Sequence, residues 1–476
     1  MGSDSCACGD EEHQGPVRPV QSACTRAICG RDLVTISRTS GLGSFDRDHP
    51  PSRELVDDCV HCGFCLSTCP TFVLWGEEMD SPRGRIYLMR AALDGAPIND
   101  AMVRHFDNCL GCMSCLTACP SNVQYDQLIS ATRGQIERKF KRSWQERLKR
   151  ELVFALFPYP RRLRVARAFL RLYQRSGIQQ MVGRLGLLNI APPFLRTMES
   201  ISPTIGERQE IPGLSVARGT KRGTVGLLTG CVQGAFFPRV NEATVRVLTA
   251  EGFDVIAPKS QGCCGALSAH SGRLKEARGF AKRLIDTFER AGVTTVIVNS
   301  AGCGSSMKEY THLLAGDRRY QERAERFANN TKDIAEFLAE IDPVADRHPL
   351  PIEIAYHDAC HLGHAQRVKS QPRKVLSQVP GIDLKEIADG ELCCGSAGVY
   401  NIFRPEPARE LGQRKADQVA LTGADLLVAA NPGCTMQIAA ALESRGTPIP
   451  VAHTVELVDA SIRNLGVREF LKSLVD

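Results

Sequence analysis

At 476 residues the chain is long enough for several domains with separate cores. Its 20 cysteines far exceed what packing needs, and the polar first thirty residues lack the apolar core of a secretory signal, so a disulfide scaffold is excluded in favour of metal or redox chemistry. A net charge of +6 gives no reason to expect nucleic acid, and no apolar run of about 18 residues is present to cross a membrane.

Residues 1–50 mix Gly, Ser, Asp, Arg and Pro without period and read as a disordered tail. Its Cys6, Cys8, Cys24 and Cys29 match no metal-ligand spacing.

Residues 51–135 read as a compact helical module. It holds two similar runs, Cys59-Val-His-Cys62-Gly-Phe-Cys65-Leu-Ser-Thr-Cys69-Pro70 and Cys109-Leu-Gly-Cys112-Met-Ser-Cys115-Leu-Thr-Ala-Cys119-Pro120. Soft thiolates select iron–sulfur clusters or zinc, and three Cys spaced by two residues suit three corners of a cubane better than they suit a zinc site. In two-cluster ferredoxins the fourth Cys, before Pro, ligates the other cluster. The expected sets are therefore Cys59, Cys62, Cys65 and Cys119 for one [4Fe–4S] cluster, and Cys69, Cys109, Cys112 and Cys115 for the second. Gly63 and Gly111 let the backbone approach inorganic sulfide. Between the runs, Ser81-Pro82 opens a helix through Ile86, Met89 and Leu93 to Gly95. Arg83 and Arg85 face a cluster or partner, or are solvated helix-start residues.

Residues 136–218 form a basic connector, with thirteen Lys/Arg against Glu146 and Glu151 between Arg138 and Arg175. Leu148, Leu152, Ala155 and Leu156 share one helical face, and Leu163, Ala166, Leu170 and Tyr173 share another. Two readings stand: helices packed on the protein with solvated arginines, or an amphipathic surface on anionic lipid through Arg161, Arg162, Arg164 and Arg167.

Residues 219–345 and 346–476 are an internal repeat. Cys231, Cys263, Cys264 and Cys303 recur as Cys360, Cys393, Cys394 and Cys434, at offsets of 129, 130, 130 and 131 residues. Gly follows the Cys pair in each. Repeat one alternates β runs at Thr224–Leu228, Phe253–Ala257 and Val293–Asn299 with helical patterns at Glu242–Ala250 and Ser271–Glu289. Repeat two echoes it at Ile352–Tyr356, Leu384–Ile387 and Leu426–Ala430. The alternation predicts a parallel sheet in each, with every repeat cysteine just beyond a strand's carboxyl end, where such sheets bind ligands. Four thiols in register make each repeat a redox or metal site: a cluster, a vicinal disulfide, or, in repeat two, zinc with help from His357, His361 or His364. His361 and His364 read more readily as polar helix-start residues. The expected fold is α+β and multidomain: a helical two-cluster ferredoxin domain, then two duplicated α/β repeats.

Taken together these residues resemble the iron–sulfur subunits of glycolate oxidase (glycolate dehydrogenase). The likeness is carried by Cys59-Val-His-Cys62-Gly-Phe-Cys65, Ser81-Pro82-Arg83-Gly84-Arg85-Ile86-Tyr87-Leu88 and Leu392-Cys393-Cys394-Gly395-Ser396-Ala397-Gly398, and spans roughly residues 50–470. It implies an electron-transfer subunit of a flavin-dependent 2-hydroxyacid dehydrogenase that passes electrons towards membrane quinone. FAD would sit on partner flavoprotein subunits, since no Gly-x-Gly-x-x-Gly joins a strand to a helix here. It also implies a cytoplasmic site, peripheral on the inner membrane face. Lactate and anaerobic glycerol-3-phosphate dehydrogenase subunits share these parts. The Cys-Cys-Gly repeats further resemble those of the cysteine-rich subunit of heterodisulfide reductase, which implies a further iron–sulfur cluster or disulfide reduction there. At the positions of that family's fifth Cys this chain has Ser306 and Gln437.

Overall fold

The computed structural model describes residues 42–206 and 210–474. The tail cysteines Cys6, Cys8, Cys24 and Cys29 lie outside the described residues. Residues 42–50 do not behave as tail: Phe45 is buried, and Asp46 accepts hydrogen bonds from Gln135 Nε2 (2.9 Å) and Arg138 Nη2 (2.9 Å) on the helix Tyr125–Lys139. An aromatic anchor and a buttressed carboxylate outweigh the polar composition of the segment.

Short helices at Arg53–Asp57, Pro82–Leu93 and Asp100–Asn108 pack with Tyr125–Lys139 around Val56, Met89, Phe106 and Leu128, while Leu74 of the helix Pro70–Trp75 packs on the cluster of Leu110, Cys112 and Tyr400. The Pro82–Leu93 helix starts as its sequence predicts: Ser81 Oγ accepts from Gly84 N at 3.0 Å, and Pro82 fills the first turn. Gly84 is required, because a Cβ there would meet Glu78 O at 2.0 Å.

The connector folds into helices Trp144–Leu156, Pro160–Arg175, Ile178–Arg184 and Pro193–Ser200. Trp144–Leu156 does not bury the face expected of it. Leu148 and Leu152 are exposed, and Arg150, Val153 and Phe154 turn inward against Val399 and Ile402. Arg150 can be buried because it pairs with Glu137 at 2.8 Å and stacks over Phe154 and Phe403. On Pro160–Arg175 the apolar face is as expected: Leu163 is buried, while Val165, Phe169 and Leu172 stand exposed opposite. Arg167 is not lipid-facing; it is buried and donates to Gly206 O at 2.7 Å.

Two sheets follow. The first comprises β1 Leu214–Ser215, β2 Gly223–Leu228, β3 Phe253–Ile256, β4 Val296–Val298 and β5 Thr331–Asp333, in the order β1-β3-β2-β4-β5. The second comprises β6 Ile352–His357, β7 Ile382–Glu386, β8 Leu426–Ala429 and β9 Val451–Ala452, in the order β7-β6-β8-β9. All neighbours are parallel except β1, which pairs antiparallel with β3. With β1 set aside, β3-β2-β4-β5 and β7-β6-β8-β9 are the same topology, as a duplication requires. One core crosses both, from Val225, Leu227 and Val247 to Ile354, Val428 and Val458. The short β1, β5 and β9 carry too little alternation to be read in sequence.

Helix Tyr125–Lys139 also touches repeat one near Glu309. Burial, then the Asp126 carboxylate, raises the Glu309 pKa to about 7 against 4.5 for an ordinary Glu. The folded state therefore binds the extra proton, so this residue's contribution to stability falls as pH rises from about 4.5 to about 7. Glu309→Gln removes that dependence. Denaturant titrations should show wild type losing about 2–3 kcal/mol between pH 5 and 8 that the variant retains; parallel pH profiles for the two proteins would refute the assignment.

Candidate metal centres

Cys59, Cys62, Cys65 and Cys119 line one small pocket under Pro82 and Arg83, with Cys115 at its back. Cys69, Cys109, Cys112 and Cys115 are mutual neighbours: burial, and then the charges of Cys112, Cys109, Cys69 and Cys65, push the Cys115 thiol far above its ordinary range. Among the described residues no cysteine is in a disulfide. The backbone is shaped for close approach. Gly63 has φ +90° and Gly111 φ +67°, and a Cβ on Gly63 would meet Arg83 Nη1 at 2.7 Å. Converging soft thiols around glycine turns fit iron–sulfur chemistry; when bound, a cluster takes up and gives back one electron at a time.

Arg85 is not a solvated helix-start residue. It is 1% exposed, donating to Asp80 Oδ1 (3.1 Å), Thr71 Oγ1 (3.1 Å) and His105 O (2.7 Å), with Nη1 4.0 Å from Cys69 Sγ. Burial opposes its charge, but Cys109, Tyr125, Cys69 and Asp80 outweigh burial and keep it protonated. In return Arg85 and Arg133 hold the Cys109 thiol below its usual range against burial. A fixed cation thus sits among thiolates that would otherwise repel one another. Arg83 stays near the surface, paired with Glu78 at 2.6 Å and donating to His61 O at 3.1 Å.

In the repeats Cys231 and Cys360 follow β2 and β6, the Cys pairs follow β3 and β7, and Cys303 and Cys434 follow β4 and β8. Cys231 and Cys263 sulfurs are 3.5 Å apart, and Cys360 and Cys393 sulfurs 3.9 Å. The glycine after each pair has positive φ, and a Cβ on Gly395 would meet Ala408 O at 2.5 Å, so the next helix fixes the motif. The repeats differ at one position. In repeat two, ligand atoms of His357, Cys394 and Cys434, all buried, lie within 4.8 Å of one another. Cys393 and Cys434, then His357, hold the Cys394 thiol well below its ordinary range despite burial. His361 and His364 do not join that group: His361 Nε2 donates to Gly111 O at 2.9 Å, and His364 Nδ1 is 2.7 Å from Thr117 Oγ1. Gln437 is occupied elsewhere, with Nε2 donating to Ala408 O and Oε1 accepting from Asn401 Nδ2.

Several functional contacts escaped the sequence reading because they join distant segments. Cys112 packs in one small cluster with Cys393 and Tyr400, with Cys360 against it, so the second run's thiols adjoin those of repeat two. Arg133 donates to Cys109 O and, at 2.8 Å, to His270 O. The ring of His270 meets that of His361 edge-on at 4.9 Å. A cavity of about 940 Å³ reaches the thiols of both repeats, Cys109, these two histidines and the connector helices.

A helical module with two four-cysteine runs, joined to two parallel-sheet repeats with thiols at their strand ends, defines a cysteine-ligated redox protein. Family models match it segment by segment: a 4Fe-4S dicluster domain at 55–123, the linker region of the glycolate oxidase iron-sulfur subunit at 145–202, and a cysteine-rich domain at 225–308 and 354–439. A probable glycolate oxidase iron-sulfur subunit from Bacillus subtilis (strain 168) is 38% identical over 86% of this chain and 94% of its own length. The glycolate oxidase iron-sulfur subunit of Escherichia coli (strain K12) is 33% identical over 85% and 93%. Lactate utilization protein A from Exiguobacterium sp. (strain ATCC BAA-1283 / AT1b) is 31% identical but covers 50% of this chain. A crystal structure of a hypothetical protein from Helicobacter pylori shares the fold at TM-score 0.51 and 8% identity, over 86% of this chain and 73% of that one. The chain belongs to the family of glycolate oxidase iron–sulfur subunits.

Asp80→Ala tests the buried pair beside the thiols. It leaves Arg85 without its carboxylate, and such a loss costs about 3–5 kcal/mol in unfolding free energy. A change within about 0.5 kcal/mol in denaturant melts would mean that the thiolates alone compensate Arg85.

Proposed function

We propose that this chain is the electron-transfer subunit of a glycolate-oxidising complex, taking electrons from a flavoprotein partner that carries the FAD and the substrate. Cys59, Cys62, Cys65 and Cys119 hold one [4Fe–4S] cluster, and Cys69, Cys109, Cys112 and Cys115 a second, within a helical two-cluster ferredoxin domain. The repeats provide a further metal or redox site in repeat two, from Cys360, Cys393, Cys394 and Cys434 with His357, and its counterpart in repeat one, from Cys231, Cys263, Cys264 and Cys303. The observation that carries this reading is that Cys112 and Cys393 share one small buried cluster, with Cys360 near enough for its charge to act on Cys112. The roles of the chain's own residues are then to hold thiolates deprotonated (Arg85, Arg133), to fix ligand loops (His361, His364) and to exclude water.

Iron, acid-labile sulfide and zinc per chain test it on anaerobically purified protein. About 8 iron supports two clusters, and about 12–16 adds sites in the repeats. Zinc without iron overturns the reading, as does native tagged protein that brings down no flavoprotein. Cys112→Ser should remove about 4 iron if the second run is a cluster site.

Peripheral membrane attachment belongs to the same proposal. On the helix Pro160–Arg175, Arg161 and Arg164 flank the exposed Val165, Phe169 and Leu172, pairing basic with apolar surface. No helix among the described residues is long and apolar enough to cross a membrane. Arg161→Gln with Arg164→Gln should release the protein from phosphatidylserine vesicles, by about 1 kcal/mol per charge. Unchanged vesicle binding would remove this helix from the interface.

A further inference from the structure

Three residues before its last cysteine, each repeat carries a small polar side chain: Ser300 before Cys303, and Asn431 before Cys434. The two are counterparts in the duplication, at the same offset of 131 residues as the cysteines. Each stands at the start of a helix, Ser300 before Ala301–Lys308 and Asn431 before Pro432–Ser444. Ser and Asn at that position ordinarily accept a bond from the first turn of their own helix. Neither does so here.

Their side chains meet each other instead. Ser300 Oγ donates to Asn431 Oδ1 at 3.4 Å, and the same oxygen accepts from Gly302 N at 3.3 Å. The asparagine of repeat two therefore caps the helix of repeat one. Beside them Ala301 N donates to Ala430 O at 3.1 Å, which fixes the two helix starts against each other. With its oxygen engaged across the repeats, Asn431 turns its amide nitrogen back to its own thiols: Nδ2 donates to Cys434 Sγ at 3.5 Å. Ser300 has the matching place in repeat one. Cys264, and then burial, push the Cys303 thiol far up, and the Ser300 hydroxyl acts against them. One line of polar contacts, Cys303–Ser300–Asn431–Cys434, thus runs along the cavity wall from the thiols of one repeat to those of the other.

Such a line transmits charge as well as position. The Ser300 hydroxyl has one hydrogen and two acceptors, Cys303 and Asn431 Oδ1, so it serves one at the expense of the other. Negative charge gained at Cys434 strengthens the bond from Nδ2, and the polarised amide makes Oδ1 the better acceptor. The hydroxyl hydrogen then leans towards Asn431, and Cys303 has less support for a charge of its own.

We infer that Asn431, together with Ser300, is a positioning residue that couples the redox sites of the two repeats, so that an electron on one makes the other harder to reduce. The inference rests on the reading of the repeat thiols as redox sites. Each site gains one electron, supplied by substrate oxidation on the partner flavoprotein, and no bond to hydrogen breaks: the hydroxyl hydrogen only changes acceptor. The repeats then fill in sequence rather than together.

The test is a redox titration of the full chain with its metal sites filled, followed by electron paramagnetic resonance. Each repeat's signal is assigned by its loss in Cys264→Ser or Cys394→Ser. Asn431→Asp decides between coupling and packing. It keeps an oxygen for Gly302 and Ser300 and caps as well as Asn, but has no N–H for Cys434. Iron content and thermal stability should match wild type, while the reduction equilibrium of repeat two falls about tenfold, about 59 mV for one electron. A role in packing alone leaves that potential where it was. Ser300→Ala should lower the same equilibrium about threefold although Ser300 belongs to repeat one, and should have no further effect in an Asn431→Ala background. An unchanged potential in Asn431→Asp, or a Ser300→Ala shift that is the same with and without Asn431, would overturn the coupling and leave the electron-transfer reading standing. About 8 iron per chain, with no signal lost in either cysteine variant, removes the redox reading of the repeats and the coupling with it.

Discussion

The loop Cys109–Cys115 must hold its thiols inward while most of it has no regular structure, so its carbonyls need partners from outside the loop. Those partners come from two other parts of the chain. Arg133, on the helix that closes the amino-terminal module, takes Cys109 O and simultaneously His270 O of repeat one. His361 of repeat two takes Gly111 O, and His364 meets Thr117. The loop is thereby satisfied only when both repeats are docked. The consequence reaches beyond stability: the hydrogen bonds that complete the loop also place Cys112 in one buried cluster with Cys393, within reach of the Cys360 charge. One set of backbone requirements fixes both the loop that carries these thiols and its docking on repeat two.

Duplication built two like thiol sites, and their surroundings then made them unlike. The topologies β3-β2-β4-β5 and β7-β6-β8-β9 set equivalent cysteines at equivalent strand ends. Repeat two alone has an imidazole, His357, at the end of its central strand β6, and it alone adjoins the thiols of the second run. In repeat one the corresponding strand ends at Leu228. Its thiols are instead closed in by Tyr310, whose hydroxyl donates to Cys264 O at 2.5 Å, and by Leu163 of the connector. An imidazole beside Cys394 adds a nitrogen donor to repeat two, whereas repeat one offers thiols alone, a uniformly soft donor set. The two repeats are thus chemically distinct despite their common fold.

Much of this was legible in sequence because it is local. The Ser81 cap, the offsets near 130 residues and the strand-end position of each repeat cysteine all follow from short-range pattern, and the structure has them where the pattern puts them. What escaped notice depends on distant partners. Arg85 reads in sequence either as a residue facing a cluster or partner or as a helix-start cation, and only Asp80, Thr71 and Cys69 gathered around it decide between them. The Trp144–Leu156 helix has two competing apolar faces, and the one with Val153 and Phe154 wins because Val399, Ile402 and Phe403 wait opposite. Phe45 lies in a polar segment, and it docks because it packs into the core of the amino-terminal module while Gln135, Arg138 and Lys139 hold the neighbouring Asp46 and Ser44. The cavity itself has no sequence signature, since its walls come from the amino-terminal module, the connector and both repeats.

The connector now has a physical reason for its composition. A mere tether between modules would be polar and short of large side chains. This one carries apolar residues on two sides of the helix Pro160–Arg175, with Leu163 and Leu170 inward and Val165, Phe169 and Leu172 outward. Inward residues are explained by packing over Val232–Phe236, the helix that follows Cys231. Outward ones are not, because contiguous exposed apolar surface is costly in water unless something covers it. Arginines interleaved with that surface resist burial against another apolar core, yet they suit a boundary that is apolar on one side and anionic on the other. The same helix roofs the thiol cavity, so whatever covers its outer face lies one helix diameter, about 10 Å, from that cavity. The exposed apolar face and one wall of the thiol cavity are therefore carried by a single element, and a change on either face of it bears on both.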